Sequence, residues 1–137
     1  MADTIRVEVV AADGVVWEGD ALSVIARTTE GDVGVLPNHE PILAALVTCA
    51  VEILAADGNR QVVLVDDGYI SVADNRVSLL SQYARIAEQV DITAAEHELA
   101  AAEKRLNEGD QDEETLRHYR RAQAQVRAAQ LAGGTSR

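Results

Sequence analysis

Any chemistry in this chain of 137 residues must start from His39, His97, His118 and Cys49 and the carboxylates around them. His39 lies between Pro37 and Pro41, the only two prolines, with Asp32 and Glu40 close by in sequence. A histidine beside carboxylates is the raw material for a metal site or a general base. The competing reading is a turn residue bonded to backbone, or part of a partner-binding surface. His97 and His118 lie far along the chain and show no ligand spacing with His39. Cys49 stands alone, so it forms no internal disulfide and no multi-thiolate zinc site. Its neighbours, Val47-Thr48-Cys49-Ala50-Val51, make it a small hydrophobe of the core. No serine sits in a Gly-x-Ser-x-Gly turn. The stretch Gly31-Asp32-Val33-Gly34-Val35-Leu36-Pro37 lacks the Gly-Lys-Ser/Thr ending of a phosphate loop. An interaction or regulatory module fits better than an enzyme. A small hydrolase or metal enzyme built on His39 is the catalytic alternative.

Composition narrows the partners. The formal net charge is −11. An acidic surface argues against nonspecific nucleic-acid binding, which needs Lys and Arg to neutralise phosphates. It argues equally against direct adhesion to anionic lipid. No apolar run reaches the roughly 18 residues of a membrane span, and the first residues carry no basic-then-apolar leader. With no Phe and a single Trp, Val, Ala, Leu and Ile must build the core. Trp17 is expected as a core or edge anchor in the second strand.

Two kinds of element must position these residues. From Thr4 to about Ala87 the pattern has period two: Ile5, Val7 and Val9 alternate with Arg6 and Glu8, the signature of half-buried strands. Leu22, Val24 and Ala26 alternate likewise. Asp13-Gly14, Gly19-Asp20, Glu30-Gly31, Asp57-Gly58-Asn59, Asp67-Gly68 and Asp74-Asn75 punctuate the strands and supply the positive φ of tight turns. Together they predict an antiparallel sandwich or barrel. The strands 61–65, 68–72 and 76–80 are expected to form a meander, and 41–46 is open between strand and helical turn. The residue before a proline is pushed to extended conformations, so Pro37 and Pro41 make a rigid, shaped loop around His39.

The pattern changes near Glu88. Ile92, Ala95, Leu99, Ala102 and Leu106 are spaced three and four apart, the stripe of a helix packing on another. Thr93 and Glu96 have capping-box spacing, and Gly109 is a natural stop. Asp110, Asp112, Glu113 and Glu114 place negative charge where a second helix begins. Leu116, Tyr119, Ala122 and Val126 form its stripe, Arg117, Arg120, Arg121 and Arg127 decorate it, and Gly133-Gly134 is expected to end it. The predicted division is residues 1–87 as a β domain and 88–137 as an antiparallel helical hairpin. Each fully buried large apolar side chain supplies roughly 1.5–3 kcal/mol and alanines much less, so the hairpin is expected to dock weakly and reversibly.

Gly31-x-x-Gly34-x-Leu36-Pro37-x-His39-x-Pro41 resembles the signature of the epsilon subunit of bacterial F-type ATP synthase. Asp67-Gly68-Tyr69-Ile70-Ser71-Val72-x-x-Asn75-x-Val77 resembles that family's second motif, with Asp67 in place of its first Gly. The resemblance implies an all-β sandwich of about ten strands followed by a two-helix hairpin. It implies a non-catalytic rotor subunit of a proton-translocating ATP synthase, without cofactor or metal, peripheral on the cytoplasmic face of the bacterial membrane. The implied partners are the gamma subunit and the c-ring, with Asp32 toward the ring and His39 near gamma. An extended hairpin is implied to inhibit ATP hydrolysis by bringing Arg117, Arg120, Arg121 and Arg127 to the catalytic beta subunit. Some members bind ATP at an Ile/Leu-Asp-x-x-Arg-Ala motif. Here it reads Val90-Asp91-Ile92-Thr93-Ala94-Ala95, which keeps Asp91 as a nucleotide-binding candidate and puts Ala94 where the phosphate-pairing Arg stands. A methyl group does not replace a guanidinium. The alternative from another class is a free-standing sandwich and coiled-coil adaptor.

Overall fold

The structure is a computed structural model, and it describes residues 3–87, 92–109 and 112–135. The described residues hold nine strands and two helices. The strands are β1 (Ile5–Ala11), β2 (Gly14–Thr28), β3 (Gly31–Val35), β4 (Ile42–Leu46), β5 (Cys49–Ala55), β6 (Arg60–Asp66), β7 (Gly68–Ala73), β8 (Arg76–Leu80) and β9 (Tyr83–Ile86). The helices are α1 (Ile92–Asn107) and α2 (Glu113–Thr135). The expected sandwich with a helical hairpin is the observed architecture. Strand 42–46 resolves the one segment left open.

β2 explains the difference between nine strands and about ten. Its first half pairs with β1, and its second half pairs with β3 and β5. The pairing with β5 slips between Ala21 and Ser23, a bulge that bends the strand from one layer into the other. The bulge also corrects the expected alternation. Ala21 and Val24 are buried while Leu22 is not, because the extra residue resets which face each side chain meets.

One layer carries β1, β8, β7 and β4, and the other carries β3, β5, β6 and β9 around the second half of β2. Between them lies a core of Ile5, Val7, Val9, Val24, Val35, Val51, Ile53, Val63, Val65, Ile70, Val72, Val77 and Leu79, with Trp17 packed against it. The expected meander of β6, β7 and β8 is not formed. β7 and β8 do pair, but β6 pairs with β5 and β9. The chain changes layer at Asp67 and Gly68, whose φ values are 56° and 131°. Here the pair carries the strand into the other layer instead of folding it back beside itself. Gly68 is required there twice over, since an added Cβ would stand 1.9 Å from the Leu80 carbonyl oxygen.

The hairpin starts and stops largely as its residue types dictate. Gly109, at φ 91°, follows α1 and donates to the Leu106 carbonyl. Asp112 caps α2: its Oδ1 accepts the Thr115 N–H at 2.8 Å. Two expectations are corrected. Helix α1 already includes Ile92, so Thr93 lies inside the helix and is not its cap; the residues just before Ile92 lie outside the described residues. Helix α2 continues through Gly133 and Gly134 to Thr135. A glycine in a helix costs only about 1 kcal/mol, too little to stop one where no competing turn is built.

Candidate functional site

Helix α2 buries two stripes, and the sequence pattern exposed only one of them. Thr115, Ala122, Val126 and Ala129 are buried on the side where His118 reaches Glu98 and Arg105 reaches Thr115, both across to α1. The second stripe is Arg121, Ala124, Ala128 and Leu131, at offsets of three, seven and ten residues. Ala124 and Ala128 pack with Val62, Leu64 and Ala87, and Leu131, Ala50 and Tyr83 lie against the same cluster. This second stripe docks the hairpin on the outer face of β6. Val62, Leu64 and Asp66 alternate along that face. From Arg121 to Ala128 the helix rises about 10 Å, and from Asp66 to Val62 the strand spans about 13 Å. The two rows therefore match, with Arg121 at the Asp66 end. A signal for this was present in the sequence. The unbroken run Val62-Val63-Leu64-Val65 is what a strand buried on both faces looks like, and all four are buried.

Asp66 is the centre of a polar cluster at the edge of this seam. Its side chain is only 9% exposed and pairs with Arg121, whose Nη2 and Nε lie 2.6 and 2.8 Å from Oδ2. Thr48 donates its hydroxyl to Asp66 Oδ1 at 2.7 Å. The Ser81 hydroxyl accepts the Asp66 N–H at 3.2 Å and also bonds the Tyr83 carbonyl at 2.7 Å. Asp66 was not singled out by sequence. An acid beside a turn reads as solvated until the helix that covers it is in place.

The other candidate residues fall in two places. Asp32 lies on β3, exposed, in register with Arg27, whose Nε–H donates to its carboxylate at 2.8 Å. The hydrogen bond from Asp32 pushes the Arg27 pKa above its ordinary value. A groove of roughly 1180 Å³ brings Asp32 and Cys49 together with Arg117, Arg120 and Arg127 of α2. Burial raises the Cys49 thiol pKa, which keeps the sulfur in its unreactive form. Arg121 is instead paired with Asp66. It is therefore a docking contact in this structure. Asp91 lies outside the described residues.

His39 lies beyond the other end of β3. Its N–H donates to the Leu36 carbonyl at 3.1 Å, and Nδ1–H donates to the Glu40 carbonyl at 2.7 Å. Its loop is clasped from below by Asn75. The Asn75 Oδ1 accepts the Asn38 N–H at 2.7 Å, and its Nδ2 donates to the Thr4 carbonyl at 2.9 Å. Among the described residues no three His, Cys, Asp or Glu side chains come together as a metal site.

The outer face of the other layer carries a row of exposed apolar side chains. Cross-strand pairing aligns Ala45, Tyr69, Leu80, Val10 and Val15 in one row across β4, β7, β8, β1 and β2. Tyr69, Leu80 and Val15 are 58%, 47% and 60% exposed. The next row is Leu43, Ser71, Ser78, Glu8 and Glu18, and Arg76, Arg6 and Asp20 follow. Directly paired side chains share a face, so the surface grades from apolar to charged.

The β-sandwich domain model of the ATP synthase delta/epsilon chain matches residues 4–87. The chain is 42% identical over 137 residues to the ATP synthase epsilon chain of Cutibacterium acnes, covering 94% of each. It is 45% identical over 128 residues to that of Streptomyces avermitilis, covering 93% of this chain and 97% of the relative. This protein belongs to the ATP synthase epsilon chain family. Its fold is also that of a chain in the Euglena gracilis mitochondrial ATP synthase, with a TM-score of 0.71 at 19% identity over 98% of this chain and 82% of that one. Membership sets aside the free-standing adaptor.

Proposed function

We propose that this epsilon chain is the foot of the central stalk, passing rotation of the c-ring through its sandwich to gamma and so to the catalytic head. As an epsilon chain it is a subunit of a rotary ATP synthase. The observation that carries the mechanical role is the exposed apolar row Ala45-Tyr69-Leu80-Val10-Val15. A row of that kind on a soluble sheet calls for a covering partner, and gamma is the partner we assign to it. The densely packed sandwich transmits strain with little yielding. Asp32, held by Arg27, is proposed to face the polar loops of the c-ring, and His39 in its clasped loop to lie near gamma.

In this reading the chain supplies no catalytic group. It is held at the cytoplasmic face of the bacterial membrane by its partners, and among the described residues no helix is long and apolar enough to cross one. The proposed division is a sandwich of residues 1–87 as the rotor part and a hairpin of 88–137 as a movable arm. Extended, the arm would present its arginines to the beta subunit and slow ATP hydrolysis. A contact made largely of alanines favours movement, because each buried methyl contributes only about 0.8 kcal/mol.

The test uses ATP synthase stripped of this subunit and reconstituted with the full chain, with a chain ending at Ala87, or with the full chain carrying Asp32→Arg. Hydrolysis and ATP-driven proton pumping are followed together. Both lengths should restore pumping, and only the full chain should suppress hydrolysis. Asp32→Arg should weaken pumping. Failure of either length to bind the complex would refute the rotor reading. Equal hydrolysis with both lengths would refute the arm as a brake, and unaltered pumping with Asp32→Arg would remove Asp32 from the ring contact.

A further inference from the structure

We infer that the Asp66–Arg121 pair is a latch that sets the docked position of the hairpin, and that a docked hairpin thereby withholds Arg121 from any partner. The inference rests on the reading above that the hairpin changes place.

Three observations carry it. First, Asp66 is a carboxylate on an otherwise apolar strip, following Val62 and Leu64 on the outer face of β6. Among the described residues of the sandwich, only one of its carboxylate oxygens is bonded by a side chain, Oδ1 by Thr48, and Oδ2 meets Arg121 of α2. Second, groups of the sandwich itself hold Asp66 in place. Thr48 fixes Oδ1 at 2.7 Å and Ser81 holds the Asp66 backbone at 3.2 Å, so Oδ2 is left as the acceptor for Arg121. Third, the buried part of the stripe is small, being Ala124 and Ala128, with Leu131 only partly buried beside them. Ala124 and Ala128 could slide along Val62 and Leu64 by one helical turn with little loss of contact, since alanines offer no shape to hold a register. A guanidinium with two nitrogens on one fixed oxygen cannot slide. The pair therefore gives the seam its register.

The same chemistry makes the latch reversible. The Arg121 side chain is 43% exposed even when docked, so the pair is not sealed from water. Separating them costs much less than separating a fully buried pair. Arg117, Arg120 and Arg127 have no part in the latch and lie along the groove instead. Of the four arginines, Arg121 is the one that has to exchange one carboxylate for another if the hairpin leaves.

The purified full chain tests this without the rest of the complex. Amide hydrogen exchange is followed in wild type, Asp66→Asn, Arg121→Gln and the double variant. Undocking uncovers the α2 face that packs on β6, so α2 amides report docking and strand amides serve as the internal reference. Each single variant should speed α2 exchange by about tenfold, the effect of losing one charged hydrogen bond. The double variant should be no faster than the faster single. Unchanged α2 exchange in Arg121→Gln, or a double variant whose effect is the product of the singles, overturns the latch. If Asp66→Asn also loosens the strands, Arg121→Gln decides alone, because that residue is on the helix. A latch confirmed here with no brake in the reconstituted enzyme would refute the proposed arm function and leave the latch standing.

Discussion

Individual residues in this chain are fixed by backbone geometry more than by reactivity. Gly68 combines a positive φ with a carbonyl oxygen where a Cβ would go. Gly68→Ala should cost about 3 kcal/mol or more, read as a lower denaturation midpoint in urea. An unchanged midpoint would mean that the β6–β7 crossing relaxes freely. Asp67, which stands where the family motif has its first Gly, sits at φ 56°, a conformation that Asp tolerates better than most residues. That is why the departure from the motif leaves the turn intact. Cys49 illustrates reactivity suppressed by position. With its thiol pKa raised by burial, alkylation of the folded chain at pH 8 should be slower than that of a free thiol. Unfolding in urea should restore the ordinary rate. Equal rates before and after unfolding would contradict the burial argument.

At the level of elements, the start of α2 depends on Asp112. Its pKa is lowered by the Thr115 backbone N–H and then by the Thr115 hydroxyl. A carboxyl with a depressed folded pKa contributes stability above its ordinary value of 3.8, and the contribution is lost as pH falls below that value through the folded pKa. Helical circular dichroism should therefore decline on acidification below about pH 4, and less steeply in Asp112→Ala than in the parent. Identical acid profiles would show that the cap is not what holds this end. The turn residues show how much was legible locally. Asp74 and Asn75, at φ 52° and 59°, form the two-residue hairpin that their types demand. Gly109 ends α1 for the same kind of reason. The meander was misjudged because adjacency in sequence does not say whether a positive-φ pair folds a strand back or sends it into the other layer. Asp32 and His39 likewise look like one site in sequence, but a five-residue strand carries them to opposite ends.

For the whole molecule, the apolar row is the surface that most needs a partner. Tyr69→Asp with Leu80→Asp should leave the isolated sandwich folded, since both side chains are about half exposed. The double variant should fail to assemble with gamma, measured by co-purification. Assembly at parent level would remove this face from the interface. The acidic net charge fits a subunit that meets proteins and not nucleic acid, and the arginines gathered on α2 are the local exception.

The sequence by itself determined the class of every element but β4, the β-then-α order, most of the core and the family, because periodicity, turn chemistry and motif spacing are local properties of the chain. Only the tertiary structure decided that β2 serves both layers, that β6 is covered by α2, and that Arg121 belongs to Asp66 while Arg117, Arg120 and Arg127 do not. The physical reason is that these facts depend on which faces meet. A helix carrying two stripes of small residues looks the same whichever stripe docks. An acid at the end of an apolar strand looks solvated until the helix that covers it brings its arginine.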